Sequence, residues 1–458
     1  MGSGNAQHAF DRRDFGEKNP ASRLPQTARS PRNEAIGGAL TGYPGAFRRL
    51  GRDARLFLVA AVVHAIAVMG IFGVLFNLYL LRLGYGPEFI GIANAAGMIA
   101  FGAFSLPAGM IAQAWGMRRS TLASLGLGVL AFGLLPLASS LPEAFRPGWL
   151  VALNAASSLS VGMFHVSMMP YLMATTGPLE RNQAFSLRWA FYYVGSFGGS
   201  LLGGLLPPAF ATVTGESLSS PAPFRDSLLA SSLLLLGAFW VVWRAHEVRI
   251  PPPPATESRR RGLPIAMFGM FAAAVFLWST AEGAVWVYFN VYLDSALHVS
   301  TASIGTLVAV GRIAGLPAAL FAPAIVRWLG DGQTAALGTL AGAVALIPIA
   351  LIHHWAAAGA GFVALNAAVA TVAPALYLFM FGLVPGDRRL AITGLSLAAG
   401  VGGFTLVALG GGYMIGALGY RSFFLTAAAI TAVGVALFWA LFIQRRKHTE
   451  VHLAPEDL

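Results

Sequence analysis

Apolar residues run along this chain in long stretches, separated by short breaks that hold Gly, Pro or charged residues. A helix rises 1.5 Å per residue and needs about 20 apolar residues to cross a bilayer. The stretches predict twelve spanning helices. In the first half they cover approximately 56–83, 87–115, 120–141, 148–175, 182–213 and 227–243; in the second, approximately 264–293, 301–328, 334–352, 355–384, 390–418 and 422–442. Between the two sets lies HEVRIPPPPATESRRRGLP, Pro-rich and basic, which suits neither span nor core. The chain therefore divides into a polar tail (1–54), a six-helix bundle (55–243), a linker (244–263), a second six-helix bundle (264–443) and a closing tail (444–458).

The polar positions inside the apolar runs repeat. FNLYL at Phe76–Leu80 returns as FNVYL at Phe289–Leu293, an offset of 213, and VALNAA at Val151–Ala156 returns unchanged at Val363–Ala368, an offset of 212. The pair Ile90-Gly91 recurs as Ile304-Gly305, and the glycine closing an apolar run recurs as Gly116 and Gly330, both at 214. Four matches in order imply two homologous halves, a signature of transporters.

Composition agrees. Hydrophobic residues make up 56% of the chain and charged residues 11%, against about 25% charged in soluble domains. Cysteine is absent, which excludes disulfides, thiolate metal sites and a cysteine nucleophile. The first fifty-odd residues, rich in Arg, Pro and Gly, read as a disordered tail and as neither signal peptide nor span. MGSGNA also lacks the Ser or Thr of a myristoylation site. With the amino terminus inside, tails and inner loops hold 24 of the 30 basic residues, and the outer loops hold only Arg82, Arg146, Arg225 and Arg421. That asymmetry places both termini in the cytoplasm, explains the net charge of +11 without nucleic acid, and makes the halves a parallel repeat.

These features resemble the major facilitator superfamily over about 56–442, and the resemblance implies an all-α membrane protein, two six-helix bundles around a central cavity. The family's loop motif after the second helix, G-x-L-a-D-r-x-G-R-K, reads GMIAQAWGMRR here: Gly109, Ala112, Gly116, Arg118 and Arg119 match, with Gln113 in place of the acid. The second copy, PAIVRWLGDG, keeps Gly330 and carries Arg327 at the place of Gln113. PLERNQAFSL and PGDRRLAITGL each set an acid–Arg pair at a helix start, where a carboxylate meets the positive helix end. GSFGGSLLGG is similar to the antiporter motif G-x-x-x-G-P-x-x-G-G, with Gly195, Gly199, Gly203 and Gly204 in place and Ser200 for Pro. The same spacing also serves plain close packing.

Few ionisable groups lie deep in the spans, and each is a functional candidate. Glu282 and Arg312 each fall 11 residues from the outer end of a helix, about 16 Å down, and can pair. Glu282 then either exchanges Arg312 for a proton as the cavity switches, or forms a permanent structural ion pair. His64, His165 and Arg188 form a second layer roughly 10 to 13 Å from the inner surface, either an anion- or proton-accepting layer or ordinary membrane polar groups. Trp278, Glu282, Trp286 and Phe289 share one helix face, a candidate cage for an amphipathic cation or a packing stripe. Tyr192 and Tyr193 are equally ambiguous. Asn77 and Asn290 either close the outer gate or touch solute. His353-His354 has no acid nearby, so no metal is expected, and no Walker sequence, cofactor motif or catalytic constellation is present.

The expectation is a proton-coupled secondary transporter in the inner membrane, monomeric, leaning to export of drug-like compounds. Uptake of a small organic anion or sugar-like solute through Arg188 and Arg312, and a non-transporting sensor on the same fold, are the alternatives.

Overall fold

Long apolar runs leave their backbone polar groups no partner in lipid other than their own, so helices are the structure they dictate. The computed structural model describes residues 47–248, 265–382, 384 and 389–453, and all regular elements among them are helical. Most of the predicted amino-terminal tail and linker lies outside these residues. In the first half, α1 spans Arg52–Arg82, with a π-helical middle at Ala65–Phe72. It is followed by α2 (Pro87–Trp115), α3 (Met117–Leu134, prolonged by a 3-10 segment Leu135–Ser140), α4 (Arg146–Thr175), α5 (Pro178–Thr214) and α6 (Ala222–Trp243). The second half holds α7 (Ile265–Ser295), α8 (Thr301–Leu329), α9 (Asp331–Leu351) and α10 (Trp355–Gly382). The last helical run, Arg389–Leu453, breaks at Gly419, whose φ of 76° and ψ of 171° separate α11 (389–418) from α12 (420–453).

Eleven helical stretches among the described residues are long and apolar enough to cross a membrane, and the last of them, Ala391–Ala440, is divided at Gly419 into α11 and α12, which makes twelve helices. Several begin earlier than their apolar runs: α3 at Met117, α5 at Pro178 and α6 at Ala222. Their first turns are polar but satisfied. At α5, Pro178 occupies the first position and Glu180 accepts a hydrogen bond from the Gly177 N–H. At the far end α12 stays helical to Leu453, past the point where the sequence suggests a tail.

The repeat is written in the backbone as well as in the letters. Gly116 and Gly330 both turn the chain with positive φ, 96° and 84°, between the second and third helices of each half. The turn after α1 uses Gly84 at φ 88°, and its counterpart 214 positions on is His298 at φ 50°.

The halves meet along α2 with α11, α5 with α8, and α1 with α7. They are pressed closest at the end remote from the termini. A Cβ added to Gly204 of α5 would lie 2.9 Å from Gly305 Cα of α8, and one on Gly412 of α11 would lie 2.4 Å from the Pro87 carbonyl of α2. The largest hydrophobic core lies at that end and draws on both halves, including Tyr79, Phe224, Tyr288, Phe289 and Phe424. A second core, around Phe271, Met380 and Phe438, belongs to the second half alone and lies towards the termini.

Candidate solute site and gate

The repeated FNLYL and FNVYL phrases face each other across the two halves. Asn77 Nδ2 donates to the Val287 carbonyl at 2.8 Å, and Asn290 Nδ2 donates to the Val74 carbonyl at 3.1 Å and the Gly73 carbonyl at 3.2 Å. Val74 and Val287 are 213 apart, as are Asn77 and Asn290, so the contact maps onto itself when the halves are exchanged. Both asparagines are buried, and Asn77 also accepts a hydrogen bond from Asn94 at 2.8 Å.

One turn further out stands an ion pair that the sequence reading passed over. Arg82, at the end of α1, grips Asp294, at the end of α7, through two hydrogen bonds of 2.8 and 2.6 Å. Arg82 Nε also donates to the Leu218 carbonyl at 2.9 Å, and its guanidinium lies 5.1 Å from the centre of the Phe224 ring. The signal was available: the two repeat phrases continue with Arg82 in one copy and Asp294 in the other, opposite charges at nearly equivalent places.

Below this closed end lie the charged groups. His64, His165 and Arg188 do come together. The imidazole centroids of His64 and His165 are 5.8 Å apart, and Arg188 acts electrostatically on both. His64 stacks on Phe164 at 4.1 Å, and His165 Nδ1 meets the Val161 carbonyl at 2.9 Å. Arg188 is buried, with Nε and Nη1 free of any hydrogen-bond partner; its guanidinium lies 4.7 Å from the Trp189 ring centre.

Glu282 and Arg312 are neighbours without being an ion pair. Arg312 is the charge that bears on Glu282, yet no contact within 4.0 Å joins them, and the guanidinium instead lies 4.3 Å over the Trp286 ring. Arg312 Nε is buried without a partner. The aromatic stripe is also dispersed: Trp278 packs on the core nearer the termini, and Phe289 stacks on Phe362 at 4.3 Å. Tyr192 and Tyr193, with ring centres 5.7 Å apart, join the two charged groups: Tyr192 feels Arg188, and Tyr193 feels Arg312 and Glu282. Tyr193 reaches the second half physically, since a Cβ on Gly315 would lie 2.7 Å from its ring.

At the loop after α2, Gln113 is exposed and Gly109 partly buried. The carboxylate that serves this loop comes from the linker. Glu247 accepts hydrogen bonds from the Arg118 N–H at 3.0 Å and the Arg119 N–H at 3.1 Å, where the first amides of α3 have no helical partner. Gly116 suits that place by its φ of 96°, and a Cβ there would also crowd the Glu247 carboxylate and push it aside. Tyr171 donates to the His246 carbonyl at 2.8 Å, and Asp53 meets His246 Nδ1 at 3.1 Å, so the start of the linker is strapped to the first half. In the second copy Arg327 and Gly330 are exposed.

The antiporter-like glycines pack helices. Gly195 lies on Ala65, Gly199 on Ile66 and Gly70, and Gly203 on Ile71, all α5 against α1, whereas Gly204 meets α8 of the other half.

The Major Facilitator Superfamily profile matches residues 57–380 and 271–458. The chain belongs to this family: it is a multi-pass membrane transporter of a solute, not an enzyme. Solved structures share the fold at low identity. The nucleoside transporter NupG is 13% identical, with a TM-score of 0.68 over 86% of this chain and 100% of that one. The POT family transporter PepTSo is 11% identical, with a TM-score of 0.68 over 86% and 98%. A bacterial homologue of the iron transporter ferroportin, in an inward-facing state, is 16% identical, with a TM-score of 0.64 over 86% and 98%. No curated protein sequence matches the chain.

Proposed function

We propose that this transporter works by rocking its halves about the Tyr192–Tyr193 layer, with Glu282 carrying the coupling proton. The observation that carries the reading is the reciprocal Asn77–Asn290 crossing. It closes one end of the molecule through contacts that a rigid rotation of the halves breaks together. The asymmetry of basic residues supports an outer position for the closed end and cytoplasmic termini, and on that reading this conformation faces inward. Glu282 has no hydrogen bond or ion pair among the described residues, and its neighbour Arg312 is engaged with Trp286. A carboxyl group in that position takes a proton in this conformation and recruits Arg312 in the other. Antiport by the α5 glycines has less support, since each of them is accounted for by packing.

In proteoliposomes, solute flux should follow an imposed pH gradient, and Glu282→Gln should transport without responding to it. A Glu282→Gln protein with the wild-type pH dependence would remove the proton from this site.

A further inference from the structure

Two arginines, one from each half, carry unused donors and flank the Tyr192–Tyr193 pair, whose ring centres lie 5.7 Å apart: Arg188 acts on Tyr192 and Arg312 on Tyr193. Arg188 is 6% exposed, two of its three guanidinium nitrogens are buried without partners, and no ion pair reaches it among the described residues. Arg312 leaves Nε buried and unpartnered, and its one acidic neighbour stays out of ion-pair range. Buried charge without a counter-charge is among the costliest arrangements a protein can keep. In a membrane span it is kept where a ligand completes it.

The alternative cargo, an amphipathic cation, finds its place taken. The Trp face beside Glu282 is already covered by the Arg312 guanidinium at 4.3 Å, so a second cation would have to displace the protein's own. With Glu282 protonated in this conformation, as proposed above, the site holds the positive charges of Arg188 and Arg312 and no negative one; with Glu282 ionised, one positive charge stays in excess.

We propose that the solute is a small organic anion whose carboxylate or phosphate oxygens bridge Arg188 and Arg312, with its body against Tyr192 and Tyr193. Guanidinium forks are built for such oxyanions. A ligand held by one arginine from each half draws the halves together around itself, which gives the empty and loaded protein different preferred conformations. This inference names the cargo of the site proposed above and rests on that reading for its transport role.

The test uses the purified full chain, with thermal shift and calorimetry against benzoate, succinate and inorganic phosphate, and against benzamide and benzyltrimethylammonium as neutral and cationic controls. At least one of the three anions should stabilise the wild type saturably while the controls do not. Arg188→Gln and Arg312→Gln should each weaken that anion by roughly 10- to 100-fold, as expected for loss of a charge-assisted contact. Arg188→Lys and Arg312→Lys, which keep the charge, should retain part of the affinity and cover the case in which a Gln variant fails to fold. No saturable shift with any of the three anions, equal shifts with benzamide, or anion affinity unchanged in both Gln variants would overturn the proposal. Anion binding with no alternating access would leave this site standing and remove the rocking mechanism; proton-driven flux of a neutral or cationic solute without anion binding would do the reverse.

Discussion

Replacing Asp294 by Ala removes the outermost connection between the halves. The pair consists of two charge-assisted hydrogen bonds, 2.8 and 2.6 Å long, between side chains only 19% and 13% exposed. Such bonds contribute about 1.5–3 kcal/mol, and low exposure limits solvent screening. Arg82 keeps the Leu218 carbonyl and the Phe224 face, so the uncompensated charge is modest and a loss of about 2 kcal/mol is the working figure. If the pair exists only when this end is closed, the whole loss falls on that conformation, shifting its population relative to the alternative by roughly 30-fold. The chain has no cysteine, so one introduced thiol is an unambiguous reporter. Thr301, 5% exposed and beside Gly204 of the other half, is a suitable place for it. Labelling of Thr301→Cys by a membrane-impermeant maleimide should accelerate roughly 10- to 30-fold on adding Asp294→Ala, and the charge swap Arg82→Asp with Asp294→Arg should slow it again. An unchanged rate alongside a lower melting temperature would show that the pair supports overall stability and not the closed conformation, refuting the reasoning.

Matched glycine substitutions should separate contacts within a half from contacts between halves. Gly70→Ala and Gly305→Ala would each bring a Cβ within 2.4–2.6 Å of backbone; the first, between α1 and α5, should reduce folded yield sharply, and the second, between halves, should raise Thr301→Cys labelling with little loss of yield. Asn77→Ala should cost more than Asn290→Ala by about 1 kcal/mol, because it also removes the side-chain hydrogen bond that Asn77 accepts from Asn94, leaving Asn94 only the Ile90 carbonyl; differential scanning calorimetry of the two variants decides the order. Glu247→Gln should lower stability by about 1 kcal/mol through loss of charge at the start of α3, and the drop in melting temperature should shrink in high salt. Arg188→Met should raise the melting temperature of the empty protein, since it removes a buried charge with unused donors; a lower melting temperature would mean that Arg188 has a protein partner it needs.

Much of this architecture is legible from the sequence, because bilayer crossing forces each span to be a long apolar run. The duplication was visible in the asparagine phrases because a buried side chain that caps a backbone carbonyl of the opposite half must be kept in both copies for the contact to be reciprocal. Helix starts were less visible: Met117-Arg118-Arg119 and Pro178-Leu179-Glu180-Arg181 are polar first turns whose stability depends on carboxylates and prolines, not on hydrophobicity. Side-chain pairing was the weakest part. Depth put Glu282 level with Arg312, but rise per residue carries no information on azimuth, and Arg312 turned to Trp286. Glu247 stood in a segment read as linker, 131 positions from the Gly116 it serves, with no periodicity to mark it. Arg82 is one of four basic residues in the outer loops, and its match to Asp294 is hidden from net loop charge because it lies in complementarity between the two copies.

The central claim is that the two halves pivot as bodies, so that the two ends open in opposition. Pulsed electron spin resonance on two double-cysteine variants tests it: Ser219→Cys with Ser300→Cys at the closed end, and Ala114→Cys with Ala324→Cys at the end bearing the termini, all four positions being exposed. Adding Asp294→Ala should lengthen the first distance and shorten the second within the same sample conditions. Two distances that stay fixed, or that lengthen together, would contradict the account.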